Sequence, residues 1–129
     1  MSKKLKVEVT ENYLLISDEG TRSDLTGAIK GTENIVAAAK KYNRQLVLAD
    51  YRKVHYDIPL TDAYNLVKVY ENKVPEYRSL IMAAVVDRRD WEIAKFWESV
   101  SIKRGYSFKI FDSINDAENW LKKAAHSTL

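Results

Sequence analysis

Hydrophobic and polar positions alternate at the start of the chain, where Leu5, Val7 and Val9 fall between Lys4, Lys6, Glu8 and Thr10. Period two with the charges on one face predicts a half-exposed strand at or near a sheet edge. Glu11-Asn12 offers a short turn into Tyr13-Leu14-Leu15-Ile16, a second strand apolar on both faces that Asp18-Glu19-Gly20 is expected to end. The spacing then becomes helical. Leu25, Ala28, Ile29, Thr32, Ile35, Val36 and Ala39 form one stripe behind the capping pair Ser23-Asp24, and Tyr42-Asn43 is the expected stop. Gly27 and Gly31 weaken the first turns of this helix, or allow another part of the chain to approach it closely. Leu46-Val47-Leu48-Ala49 reads as a short buried strand ending at Asp50, with 51–59 as a loop of some extended character.

Thr61 is the expected cap of a second helix carrying Ala63, Leu66, Val67, Tyr70 and Val74, closed by Pro75. Leu80 to Val86 is apolar at every position, as a strand covered on both faces should be. Asp87 or Asp90 caps a third helix with the stripe Ile93, Phe96, Trp97 and Val100, which ends at Gly105. Tyr106, Phe108 and Ile110 predict the other edge strand. Ser113 with Asp116 opens a last helix through Ala117, Trp120, Leu121 and Ala124. The order β-β-α-β-α-β-α-β-α predicts an α/β fold, a mostly parallel five-stranded sheet with helices on its faces. One domain spans 1–124, and 125–129 is expected to be a frayed tail.

Composition narrows the class further. With 129 residues, 46% of them hydrophobic, the chain can bury a core without staples. It has no cysteine, which excludes disulfides, thiolate chemistry and cysteine-held zinc or iron–sulfur sites. Lys and Arg number 21 against 18 Asp and Glu, a net charge of +3 and too thin a field to imply nucleic acid. The basic start has no apolar stretch behind it, and the longest apolar run is seven residues against the ~20 of a spanning helix. No leader, no transmembrane segment and a cytoplasmic location are therefore expected.

Candidate chemistry is sparse. Of the two histidines, His126 lies in the expected tail and receives no role. His55 has Tyr51, Arg52, Tyr56 and Asp57 nearby but no serine or cysteine nucleophile beside it, so a surface histidine is preferred to a general base. No spacing of His, Asp and Glu matches a metal site. Gly20, Gly27 and Gly31 match neither the dinucleotide nor the P-loop pattern. A receiver-type reading through Asp50 fails because Asp87 stands where a hydroxyl is needed after the fourth strand. No catalytic residue, metal or cofactor is expected.

Ligands of open α/β sheets bind at the carboxyl ends of the strands. Asp50-Tyr51-Arg52, Asp87-Arg88-Arg89 and Asp112-Ser113 fall there. Arg52, Arg88 and Arg89 could converge near helix amino termini and hold a phosphate or carboxylate. The alternative is that the aspartates cap helices and pair with these arginines at the surface. Aromatic residues are the other unusual feature. Trp91 and Trp97 share a helix and point about 240° apart, so they cannot both face the sheet. Exposed tryptophan is a frequent interface anchor, which makes Trp91, Trp97, Tyr56 and Tyr64 the interface candidates.

The final third carries a resemblance. Phe96-Trp97-Glu98-Ser99-Val100 leads through Arg104-Gly105-Tyr106 to Phe108-Lys109-Ile110-Phe111, and Asp112-Ser113 is followed by Ala117-Glu118-Asn119-Trp120-Leu121. This pattern resembles the SpoIIAA-like or STAS family, in the branch grouped with Sec14-type lipid-binding domains. The element order extends the resemblance over the whole chain, although the matching residues within 80–121 are packing residues. The resemblance implies a non-catalytic regulatory domain that binds a protein partner, as a homodimer. In anti-sigma-factor antagonist relatives a serine at the start of the helix after the third strand is phosphorylated, in a stretch like D-L-S-G-V then D-S-S-G-L. Here Asp50 and Val54 match, but the serine's place falls near Pro59 or Leu60. Thr61 is the nearest hydroxyl, read first as a plain N-cap and second as a phosphosite. The alternative function is a small-ligand or lipid-binding domain, with an apolar pocket under the second or third helix and Arg52, Arg88 or Arg89 at the headgroup.

Overall fold

A computed structural model describes residues 5–127, with side chains to residue 125. Its elements are β1 (Lys6–Val9), β2 (Leu14–Arg22), α1 (Leu25–Tyr42), β3 (Leu46–Tyr56), α2 (Leu60–Lys73), β4 (Ile81–Val86), α3 (Trp91–Lys103), β5 (Ser107–Phe111) and α4 (Ile114–Ser127). Short 3-10 turns at Pro75–Ser79 and Arg88–Asp90 lead into β4 and α3. The order of elements is the expected one. The five strands form one sheet in the order β1-β2-β3-β4-β5, with β1 antiparallel to β2 and the other neighbours parallel.

Right-handed crossovers that all step the same way place their helices on one face of a sheet. Here α1, α2 and α3 pack side by side over one face. That arrangement leaves the other face bare until α4 folds back across it, setting Ala117 and Leu121 against Leu48, Ala83 and Val85. β4 is covered on both sides, which accounts for its unbroken apolar run. The larger core, between the sheet and the three helices, holds Leu14, Ile16, Val47, Leu66 and Tyr70 with no exposure. Each such aliphatic side chain contributes roughly 1.5–3 kcal/mol of burial. α1 starts where Asp24 accepts the Gly27 N–H at 2.9 Å, and it ends on Asn43 in the left-handed conformation.

Some expectations need correction. β2 does not end at Asp18–Gly20, and 51–56 is strand rather than loop. Ser17 pairs with Asp50 but Glu19 pairs with Lys53, so β3 carries one extra residue opposite Asp18. The bulge reverses the alternation: Val47, Ala49 and Tyr51 face the three-helix layer before it, and Val54 and Tyr56 after it. Thr61 is not a cap; Pro59 occupies that position without a side-chain bond, and Thr61 is the exposed second residue of the helix. On α3 the inner stripe is Ala94, Trp97 and Val100, while Phe96 is 37% exposed. α4 continues past Ala125 to Ser127, whereas 128–129 and the side chain of His126 lie outside the described residues.

Candidate functional site

Tyr51 is the last β3 residue paired with β4, opposite Val86. Beyond it β3 pairs only with β2, from Lys53↔Glu19 to Tyr56↔Arg22. This two-stranded ribbon and the amino ends of α2 and α3 make up the carboxyl end of the sheet, where an open α/β fold takes its ligands. The free side of the ribbon is closed by Asp90, the residue before α3, which is only 2% exposed. Its Oδ1 accepts from His55 Nδ1 at 2.8 Å and from the Tyr56 N–H at 3.4 Å. Arg89 Nε stands 3.7 Å from its Oδ2. A buried carboxylate needs such donors, and Asp90 spends its side chain on them instead of capping α3. Asp87 caps the 3-10 turn that leads into α3, accepting the Arg89 N–H at 2.9 Å.

On the ribbon's helical face, Arg22 lays its guanidinium under α1. Nη1 donates to the Tyr56 hydroxyl at 2.9 Å and Nη2 to Asp18 Oδ2 at 3.2 Å, with the Tyr51 ring centroid 4.8 Å from the guanidinium carbon. Gly31 is what makes room, since a Cβ there would stand 2.6 Å from Nη1. Burial pushes the phenols of Tyr51 and Tyr56 up, against the pull of the cation.

Arg52, Arg88 and Arg89, the candidates for an anion site, each face a carboxylate. Arg52 forks onto Asp50 with two bonds of 2.8 Å and holds that carboxyl below its ordinary range. Arg88 donates to Asp112 at 3.0 Å, and Arg89 faces Asp90. The alternative of surface pairing is the arrangement observed. Of the interface candidates, Tyr56 and Trp97 belong to the core at 8% exposure each, with their rings edge to face at 5.5 Å. Trp97 also lies against Phe108 at 5.8 Å and Tyr70 at 6.2 Å. Tyr56 is turned inward by the bulge, and Trp97 lies on the inner stripe of α3. Tyr64 is 41% exposed, and Trp91 is half-buried with Arg88 and Lys95 over its ring. Leu60 and Phe96 join them as exposed apolar residues on α2 and α3.

The apolar cavity under α3, lined by Tyr51, Tyr56, Met82, Trp97, Phe108 and Ile110, measures ≈ 20 Å³. That is room for about one water, where ligand pockets run from about 300 Å³ upward. No acyl chain fits there. Among the described residues, no three His, Asp or Glu side chains group as a metal site requires, and no helix is long and apolar enough to cross a membrane.

No family model and no curated protein matches the chain. Solved structures do. An anti-sigma factor antagonist from Mycobacterium paratuberculosis superposes with a TM-score of 0.59 at 13% identity, covering 92% of both chains. A protein of the DUF3478 family from Shewanella loihica, described as having a SpoIIAA-like fold, gives 0.55 at 17% identity over 91% of both. An RsbS variant from Moorella thermoacetica gives 0.57 at 11% identity, covering 96% of this chain and 99% of that one. The chain has the SpoIIAA-like fold. At these identities the likeness is one of fold, so the residues of this SpoIIAA-like domain must speak for its chemistry.

At the amino end of α2, where the resemblance places a phosphorylated serine, this SpoIIAA-like chain has Pro59 and Leu60, with Thr61 as the exposed hydroxyl. Sequence reasoning set His55 beside Asp57, whereas its partner is Asp90, thirty-five residues away. A signal for this existed: Asp87 and Asp90 offered two caps for one helix start, so one carboxylate was surplus. Arg22 and Glu98 gave no such sign. Glu98, 8% exposed on α3, accepts from Lys95 Nζ at 2.9 Å and from the Ile110 N–H of β5 at 2.8 Å.

Proposed function

We propose that this chain is a cytoplasmic STAS-type regulatory domain that acts without catalysis, by binding a protein partner through α2, the residues leading into it, and the outer side of α3. The observation that carries this reading is the set of exposed apolar side chains on two helices that pack together: Leu60 and Tyr64 on α2, and Phe96 on α3. Trp91, the first residue of α3, is half-buried. Aromatic side chains of this kind are the usual anchors of an interface. One solved structure of the same fold is an anti-sigma factor antagonist, which supports a protein partner.

The remaining chemistry supports binding over reaction. Among the described residues His55 is hydrogen-bonded to Asp90 and to no hydroxyl nucleophile. In this reading the serine phosphoswitch is absent, because Pro59 and Leu60 accept no phosphate. The test is affinity capture with the wild-type chain and with Tyr64→Ala and Phe96→Ala. Both substitutions are expected to abolish recovery of the captured protein while leaving the melting temperature within about 2 °C, since surface changes cost little. Undiminished recovery by both folded variants would sink the reading.

A further inference from the structure

The sheet has two edges, and the chain treats them differently. At β5 the outward Ile110 N–H is occupied by the Glu98 carboxylate, and α3 packs alongside. An unpaired backbone donor is thereby removed from the edge. At β1 no such guard is present among the described residues. All four residues of β1 are exposed, including Val7 at 36% and Val9 at 43%.

The direction of the free groups follows from the register. β1 and β2 pair as Lys6↔Ser17, Val7↔Ile16, Glu8↔Leu15 and Val9↔Leu14, and the Thr10 N–H donates to the Tyr13 carbonyl at 2.9 Å in the same register. In an antiparallel ladder, pairs that exchange hydrogen bonds alternate with pairs that do not. Lys6 and Glu8 therefore spend their backbone groups on β2, and Val7 and Val9 turn theirs outward. The side chains sort in the same way. Val7 and Val9 lie on the face of Ile16 and Leu14, whereas Lys6 and Glu8 lie on the opposite face, across from Ser17 and Leu15. Among the described residues neither Lys6 nor Glu8 has an ion-pair partner.

We propose that β1 pairs antiparallel with β1 of a second copy of this chain, about a two-fold axis at Val7, to give one continuous ten-stranded sheet. The pattern Leu5-Lys6-Val7-Glu8-Val9 is self-complementary in that register. Val7 meets Val7 of the second copy, Leu5 meets Val9, and Lys6 meets Glu8 twice. The outward backbone groups of Val7 and Val9 then form the hydrogen-bonded pairs. Lys6 and Glu8 fall in the non-bonded pairs, where opposed side chains approach most closely. A shift of one residue sets Lys6 against Val7 or Val9 and forfeits both charge pairs, so the sequence selects this register. The interface is isologous, and it closes at two copies. It stands apart from the α2–α3 surface, because α1 packs on both β2 and α2 and lies between them.

The experiment is sedimentation equilibrium of the full chain over a micromolar-to-millimolar range, reading the transition from 14.9 kDa to twice that mass. Lys6→Glu and Glu8→Lys are each expected to raise the dimer dissociation constant about tenfold, because each turns two attractive cross-strand pairs repulsive. The double variant Lys6→Glu/Glu8→Lys restores the wild-type constant, a rescue that a merely structural role for either residue cannot produce. Val7→Pro removes an outward N–H that β2 does not use, a position where an edge strand tolerates proline, and is expected to leave a folded monomer. A chain that remains monomeric throughout the range overturns the proposal. So does a dimer that is indifferent to the charge exchange, or one that Tyr64→Ala abolishes and Val7→Pro does not.

Discussion

Gly27 and Gly31 lie one turn apart on α1, and helix propensity alone predicts that alanine stabilises both by up to about 1 kcal/mol. The structure reverses the sign at one of them. At Gly27 a Cβ would meet only the Asp24 carboxylate at 3.5 Å, an ordinary contact. At Gly31 it would meet the Arg22 guanidinium at 2.6–2.7 Å. That guanidinium has nowhere cheap to go, for it is tied to the Tyr56 hydroxyl and to Asp18 and lies over Tyr51. Overpacking costs about 1–3 kcal/mol, and weakening one hydrogen bond to a charged group adds about 1.5 kcal/mol. Less the gain in propensity, Gly31→Ala should lose about 1.5–3.5 kcal/mol, while Gly27→Ala gains about 0.5–1 kcal/mol. Urea unfolding followed by circular dichroism measures both. In an Arg22→Met background the Gly31→Ala penalty should shrink by more than 1 kcal/mol, because the group it strikes is gone. If Gly31→Ala is as stabilising as Gly27→Ala, the packing of Arg22 against α1 is refuted.

Glu98→Ala leaves the Ile110 N–H without its acceptor and should cost about 1–3 kcal/mol, with Glu98→Gln recovering most of it; urea midpoints decide, and equal losses for the two would show that the acceptor is immaterial. Arg52 holds the Asp50 carboxyl below its unfolded value, so the stabilisation is complete above a pH of about 4 and is lost as pH falls through the folded pKa. Arg52→Met should flatten the acid limb of midpoint against pH, and an unchanged limb would contradict the pairing. Six of the eight tyrosines (Tyr13, Tyr51, Tyr56, Tyr70, Tyr77 and Tyr106) are pushed up by burial, Tyr13 to about 12 with help from Glu118. Their stabilisation is complete below a pH of about 10 and is lost as pH rises through the folded values. Absorbance titration should therefore deliver most of the tyrosinate signal only on unfolding, and one native step near 10 for all of them would contradict their burial.

Elements with strong local periodicity were legible in the sequence. The stripe Leu25-Ala28-Ile29-Thr32-Ile35, the cap at Asp24 and the apolar run of β4 each name their element without outside help. What was not legible depends on pairing between distant segments. The extra residue in β3 exists only relative to β2, and it moves Tyr56 from an exposed loop into the core. The angular separation of Trp91 and Trp97 showed that one of them must turn from the sheet, but choosing between them needed the start of α3 to be placed. Asp90 illustrates the same limit: a carboxylate before a helix reads as a cap until its side chain is seen to be held by His55 and the Tyr56 N–H. The three strand-end arginines were located correctly along the chain. Pairing with aspartates was one of the two readings of their destinations; which aspartate takes each is fixed by the strand ends and the turn before α3.

Those destinations bear on function. Four acid–base pairs, Asp18–Arg22, Asp50–Arg52, His55–Asp90 and Arg88–Asp112, lie across the carboxyl end of the sheet. A charged ligand that displaced one of them would meet one of two different costs. The exposed pairs of Arg52 and Arg88 are worth about 0–1 kcal/mol each and yield readily. Breaking a buried pair costs about 3–5 kcal/mol, and the Arg22–Asp18 contact, with side chains 11% and 7% exposed, is of that kind. The same network anchors the ribbon that leads into α2. Docking a partner on Leu60, Tyr64 and Phe96 breaks none of these pairs and buries side chains that already face solvent. The partner proposed for α2 and α3 thus leaves in place the ion pairs that hold the ribbon leading into α2.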